Sequence, residues 1–113
     1  MQVSFTSRHP DGAHLRDFAD RRLRFVLRRL TWLVVHAKVR LADINGRRRG
    51  IDKLCHIELK TDGIPVVVAS SVGTDWRLAI NTAILRAARL LMRRRQRGSH
   101  DRRLRQQSSP LQP

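Results

Sequence analysis

Hydrophobic residues along the chain switch between two spacings, and the switches mark its elements. Gln2–Thr6 alternates, with Val3 and Phe5 on one side and Ser4 and Thr6 on the other, which predicts a short strand. Ser7–Gly12 holds Pro10, Asp11 and Gly12 and reads as a turn. From Ala13 to Leu30 the period becomes helical. Leu15, Phe18, Ala19, Leu23, Val26 and Leu30 make an apolar face, widened by Phe25 and Leu27, while Asp17, Asp20, Arg21, Arg24 and Arg28 make the opposite one. Trp32 and Leu33 close this helix off.

Alternation then returns. Val34–Asp43 points Val35, Ala37, Val39 and Leu41 inward and His36, Lys38 and Arg40 outward. Lys53–Lys60 does the same with Cys55, Ile57 and Leu59 inside and His56, Glu58 and Lys60 outside. The glycine-flanked segment Ile44–Ile51 between them fits an antiparallel hairpin connection. Thr61–Gly63 is a tight Asp-Gly turn, and Val66–Ser71 is a fourth strand. Pro65 is tolerated only at the start of that strand or on a sheet edge.

The last element, Asp75–Arg97, is a long helix. Thr74 and Asp75 offer an N-cap and a first-turn acid, Gly98 offers a stop, and Arg93, Arg94, Arg95 and Arg97 crowd the last turn. Trp76, Ile80, Ala83, Ile84, Ala87, Leu90 and Leu91 share a broad face. Thr82, Arg86, Arg89 and Arg93 form a stripe that points elsewhere. The order β-α-β-β-β-α predicts a two-layer α+β sandwich, a four-stranded sheet with both helices on one face. Residues 1–97 form its single domain, and residues 98–113 are expected to be a disordered polar tail.

Charge changes the picture. Among 113 residues there are 24 Lys and Arg against 9 Asp and Glu, a formal charge of +15. Only +2 of it lies beyond Gly98, where Arg102, Arg103 and Arg105 face Asp101. A compact domain with such self-repulsion points to a polyanionic partner, first nucleic acid and second an anionic membrane surface. Of the 24 cations 21 are Arg, which suits bidentate phosphate contacts, although Arg codon bias in a GC-rich genome gives the same count. One cysteine, Cys55, excludes an internal disulfide and suits a reducing compartment. No apolar run spans a bilayer, and Met1 leads directly into a strand pattern that leaves no room for a targeting peptide. A cytoplasmic protein is expected.

Catalytic and metal chemistry find no footing in the pattern. Cys55 and His56 are adjacent on a strand and face opposite sides, and His36 and His56 lack a third ligand. Asp43, Asn45 and Gly46 match the start of a calcium loop, but Leu54 stands where its bidentate Glu is required. There is no nucleophile elbow or phosphate-binding glycine loop, and Ser7, His9 and Asp11 are strand-to-turn neighbours rather than a triad. No enzyme, cofactor or small-molecule substrate is expected.

The basic residues remain. Arg21, Arg24 and Arg28 ride on the exposed side of the first helix, and Arg86, Arg89 and Arg93 on that of the second. Lys38, Arg40 and Lys60 decorate the outer sheet face, with Arg47, Arg48 and Arg49 in its loop. Taken alone, the row on the second helix reads equally as a solvated face or as a phosphate-binding surface. With no Tyr, and with Phe and Trp assigned to core stripes, base stacking is not expected, and backbone shape and phosphates are the predicted targets.

Several stretches together resemble a known family. These are MQVSFTSRH at the start, LRDFADRRLRF in the first helix, VRLADINGRRRGIDKLCHIEL in the central hairpin, and Asp75, Trp76 and Ala79–Asn81. Over Met1 to Arg97 the chain resembles the ribosome hibernation promoting factors, also called sigma-54 modulation proteins, in a short form without the ribosome-pairing domain. Arg77 and Asn81 depart from the aromatic and acid usual there. The resemblance implies a fold similar to double-stranded-RNA-binding domains and a non-enzymatic protein. It implies binding to rRNA of the small ribosomal subunit in the mRNA and tRNA channel, inhibition of translation and stabilisation of idle ribosomes. The matching basic positions are Arg21, Arg24, Arg28, Arg86, Arg89, Arg93 and Arg94 on the helices and Lys38 and Arg40 on the strand.

Two other readings accompany it. One is a general double-stranded nucleic-acid binder. The other is a protein-interaction module using Leu78, Leu85 and Met92, which recur every seven residues and either dock a partner helix or pack on the first helix. A monomer is expected when free.

Overall fold

The computed structural model of the chain describes residues 1–7, 12–44 and 52–108, with side chains over 1–7, 14–44 and 52–97. The expected turn at Pro10, His9 and Asp11, the loop with Arg47, Arg48 and Arg49, and residues 109–113 lie outside these. The elements are β1 (Gln2–Thr6), α1 (Gly12–Val26), β2 (Val34–Asp43), β3 (Lys53–Thr61), β4 (Val67–Gly73) and α2 (Trp76–Ser108). They form a four-stranded mixed sheet in the order β1-β2-β3-β4, with β1 parallel to β2 and the other neighbours antiparallel.

Alternation along β2, β3 and β4 creates the two layers. Ala37, Val39, Leu41, Cys55, Ile57, Leu59, Val67 and Ala69 point into one core, which Leu15, Ala19, Leu23 and Leu27 of the α1 region close from the helical side. Trp76, Ala79, Ile80, Ala83, Ile84, Ala87, Ala88 and Leu91 bring α2 into the same core. Small residues at positions 79, 83, 87 and 88 let this helix approach closely, and Ile80, Ile84 and Leu91 fill the space between them. The α+β class and element order follow the periodicity.

Local departures from the expected pattern have physical causes. The inward residue at the start of β2 is Val34, 2% exposed, while Val35 is 53% exposed. A register shift between Val34 and His36 there reverses the expected sides. Helix α1 stops at Val26 rather than Leu30, because Leu30 N–H and Leu33 N–H donate to the carbonyls of Leu27 (2.7 Å) and Leu30 (2.9 Å). These three-residue bonds tighten the chain into successive turns. Leu27 and Leu30 stay in the core, and Phe25 and Trp32 swing outward.

Helix α2 is capped by Asp75, whose carboxylate accepts from Leu78 N–H at 3.2 Å, so Thr74 is not the cap. At its other end α2 continues through Gly98 to Ser108. A single glycine costs a helix only about 1 kcal/mol relative to alanine, and Gly98 does not end it. Leu91 is the last buried residue among those whose side chains are described. At the β3–β4 turn Gly63 has φ +79°, a conformation that suits glycine and fits the Asp62-Gly63 signal.

Candidate nucleic-acid interface

On α1, Arg21, Arg24 and Arg28 are exposed, as the helical period requires. Arg24 pairs with Asp20 one turn earlier at 3.1 Å, a surface pair that contributes only a few tenths of a kcal/mol. Arg21 donates to the Asp17 carbonyl at 3.4 Å. Arg28 donates to the Phe25 carbonyl at 3.0 Å and lies over the Phe25 ring, 4.6 Å from its centre.

The cations of α2 divide into two kinds. Arg86 Nη1–H donates to the Ser70 carbonyl at 2.8 Å, and Arg94 Nη1–H donates to those of Val66 (2.6 Å) and Pro65 (3.3 Å). Arg86 thus lies on β4, an edge strand, and Arg94 on the residues just before it, and both occupy carbonyls that no neighbouring strand reaches. Arg89 and Arg93 are exposed and make no hydrogen bond or ion pair among the described residues.

Lys38 and Arg40 are also exposed and unpaired among the described residues, but on the open face of the sheet. In the register Lys38 lies opposite Glu58 and Arg40 opposite His56. The same face carries Ser4, bonded to His36 at 2.6 Å, and Ser70, bonded to His56 at 2.8 Å. The two histidines are thus each engaged with a serine, and no group of three metal-ligating side chains occurs among the described residues. The nine expected basic positions therefore do not converge. Seven sit on the helical layer and two on the opposite side of the molecule.

Three more arginines belong to the helical layer and escaped the periodicity argument. Arg22 Nε–H donates to Asn81 Oδ1 at 2.7 Å and ties α1 to α2. Arg77 lies 5.3 Å from the Phe18 ring centre, and Arg95 5.2 Å from that of Trp32. Together they mark the seam between the helices. The spacing of Phe18, Arg22 and Phe25 places them on one flank of α1, yet nothing in it says that this flank meets α2.

The expected burial of the aromatics is corrected in part. Phe25, still within α1, is 57% exposed on the side of the helix away from Leu23 and Leu27, and Trp32, in the turns that follow α1, is 69% exposed. The expected packing of Leu78, Leu85 and Met92 on α1 is likewise revised. Leu78 and Met92 are exposed, and only Leu85 is half-buried, one turn after Asn81, which Arg22 ties to α1.

Below the helices, Lys53 reaches Asp43 at 2.9 Å and Asp52 at 3.4 Å and stacks over Trp76. The hydrogen bond to the Asp43 carboxylate holds the Lys53 ammonium above its usual pKa, against an opposing effect of partial burial and with help from Asp52. Cys55 is fully buried, and desolvation pushes its thiol up to about 12. A thiol in that environment is neither nucleophile nor ligand. No helix among the described residues is long and apolar enough to cross a membrane.

This arrangement has solved counterparts. The N-terminal domain of Protein Y from Thermus thermophilus superposes with a TM-score of 0.64 at 20% identity, over 82% of this chain and 98% of that one. A ribosomal subunit interface protein from Coxiella burnetii superposes with a TM-score of 0.61 at 12% identity, over 82% of this chain and 96% of that one. The fold is theirs. No family profile and no curated protein sequence matches the chain. At such low identity the likeness speaks for the architecture, which is the one implied by the stretches resembling hibernation factors. The arginine pattern must be argued from this chain itself.

Proposed function

We propose that this protein binds rRNA of the small ribosomal subunit through its helical layer, lies in the channel used by mRNA and tRNA, and inhibits translation by occlusion while stabilising idle ribosomes. The observation that carries the reading is the pair of exposed arginine rows on this fold, Arg21, Arg24 and Arg28 on α1 and Arg89 and Arg93 on α2, with Arg86 and Arg94 beside them. Arginine forks match phosphate geometry. The Coxiella protein of the same fold is named for the ribosomal subunit interface, which favours the ribosome over other polyanions. Lys38 and Arg40 belong to the proposal as a second contact on the sheet side. No catalytic step and no cofactor enters the mechanism, which is steric and electrostatic.

Electrostatic binding of this kind is steeply salt-dependent. With six to ten phosphates engaged, affinity falls by about 10³–10⁵ between 50 and 200 mM salt. The test is co-sedimentation with purified small subunits at near-physiological salt, with excess duplex RNA as competitor. A saturable complex of about one protein per subunit that survives the competitor supports the proposal. Binding that moves onto the duplex refutes it and leaves a general duplex-binding protein.

A further inference from the structure

Two aromatic rings on the helical layer are exposed yet held in place. Trp32 is 69% exposed, and a tryptophan without a task gains more by burying its ring than by displaying it. Its indole is not loose. The Nε1–H donates to the Arg29 carbonyl at 3.0 Å, and the Arg95 guanidinium of α2 lies 5.2 Å from the ring centre. One edge of the ring is thereby tied to the α1–β2 turn and the ring itself to the second helix. Phe25, 57% exposed, is framed in the same way by Arg28 at 4.6 Å and Arg22 at 5.7 Å. Beside it a shallow depression is lined by Phe18, Arg21, Arg22 and Phe25.

A rigid ring with a guanidinium beside it offers two things that an unpaired base accepts. The ring supplies a π-face for stacking, and the cation supplies a counter-charge for the phosphate that follows. A base inside a duplex presents no free face, so the target must be single-stranded or splayed out. The surroundings favour a polyanion over an apolar helix. Arg21, Arg28, Arg29, Arg77, Arg89 and Arg93 are exposed on the same layer and outnumber its acids Asp17, Asp20 and Asp75, of which Asp20 is paired with Arg24 and Asp75 caps α2.

We infer that Trp32, held by Arg29 and Arg95, is a stacking site for an unpaired RNA base, with Phe25 as a second platform. The inference rests on the reading that the helical layer binds RNA, and it adds what phosphate contacts alone do not provide, a preference for unpaired nucleotides over duplex.

The chain is suited to a direct test, because Trp32 and Trp76 are its two tryptophans and Trp76 is only 8% exposed. Titrating the full chain with an unstructured oligouridylate quenches the exposed tryptophan and shields it from acrylamide, while a duplex with the same number of phosphates leaves it unquenched. Trp32→Leu weakens oligouridylate binding about tenfold and leaves the salt slope unchanged, because no cation is removed. Trp32→Phe restores most of the affinity, which a merely steric role would not require. Equal affinity for Trp32→Leu and the parent chain, or equal quenching by duplex, overturns the inference. Quenching by polyglutamate but not by oligouridylate overturns it in favour of an acidic protein partner. If Arg89→Glu with Arg93→Glu leaves all RNA binding intact, it is the helical-layer reading that fails, a result distinct from failure of the stacking site alone.

Discussion

The arginines of α2 differ in what they do for the folded protein, and that difference is measurable. Arg89 and Arg93 project into solvent, whereas Arg86 and Arg94 donate to the carbonyls of Ser70 in β4 and of Val66 just before it, at 2.8 and 2.6 Å. Replacing Arg89 and Arg93 together by glutamine removes two phosphate-seeking charges and no internal bond. Stability should change by no more than about 0.5 kcal/mol per site. The slope of log affinity against log salt should become shallower by about 1.5, since each phosphate that is no longer neutralised takes about 0.7–0.9 from it. Replacing Arg86 and Arg94 by methionine keeps the alkyl chains but strands the edge carbonyls. Each replacement should cost about 1 kcal/mol, at the low end for charge-assisted bonds because both sites touch water, or about 4 °C in Tm for a domain of this size. It should also make the salt slope shallower, since a guanidinium that caps a carbonyl keeps further N–H donors for phosphate. Urea denaturation and fluorescence anisotropy over a sodium chloride series measure the two effects separately. The reasoning fails if Arg89→Gln with Arg93→Gln lowers Tm as much as the β4-capping pair does, or if its salt slope does not move.

Further predictions concern the interior and the seam. Leu91→Ala, at a fully buried site on α2, should cost about 2–5 kcal/mol in chemical denaturation, with the upper value expected if the surrounding core does not collapse. Asn81→Asp puts a carboxylate where Arg22 already donates at 2.7 Å and should raise stability by about 0.5–1 kcal/mol, a gain that shrinks in high salt. The buried Cys55 thiol should resist iodoacetamide at neutral pH in the native state and react promptly once unfolded. Because folding raises its pKa from 9.0 to about 12, the neutral thiol contributes its full stability below pH 9, and that contribution is lost as pH rises towards about 12. Cys55→Ala should therefore flatten the alkaline limb of the stability profile.

Most of the fold was legible in the chain because each buried face repeats with its own period. The alternation of Ala37, Val39 and Leu41, and of Cys55, Ile57 and Leu59, predicts the two central strands almost to the residue. What periodicity does not carry is the end of an element. Leu27 and Leu30 are as apolar as the helix before them, and only the three-residue bonds of the turns show where α1 unwinds and why Trp32 emerges. The register shift beside Val34 is equally silent, since Val34 and Val35 are the same residue type. Of the candidate interface, the exposed sides of both helices were predicted from spacing alone. The side of the seam on which Arg22, Arg77 and Arg95 meet the aromatics depends on how two helices pack, a long-range fact that no local window contains.

The β4 edge has a consequence for how the molecule behaves in a crowd. An open strand edge is a template on which another chain can grow a sheet. Here the carbonyls of Pro65, Val66 and Ser70 are already taken by side chains of α2, and the cations that take them repel any second copy approaching the same border. Exposed Val66, Val68 and Val72 would otherwise make that border adhesive. The same two arginines thus act as a fence, letting a valine-rich strand lie at the rim of the sheet without recruiting its own kind.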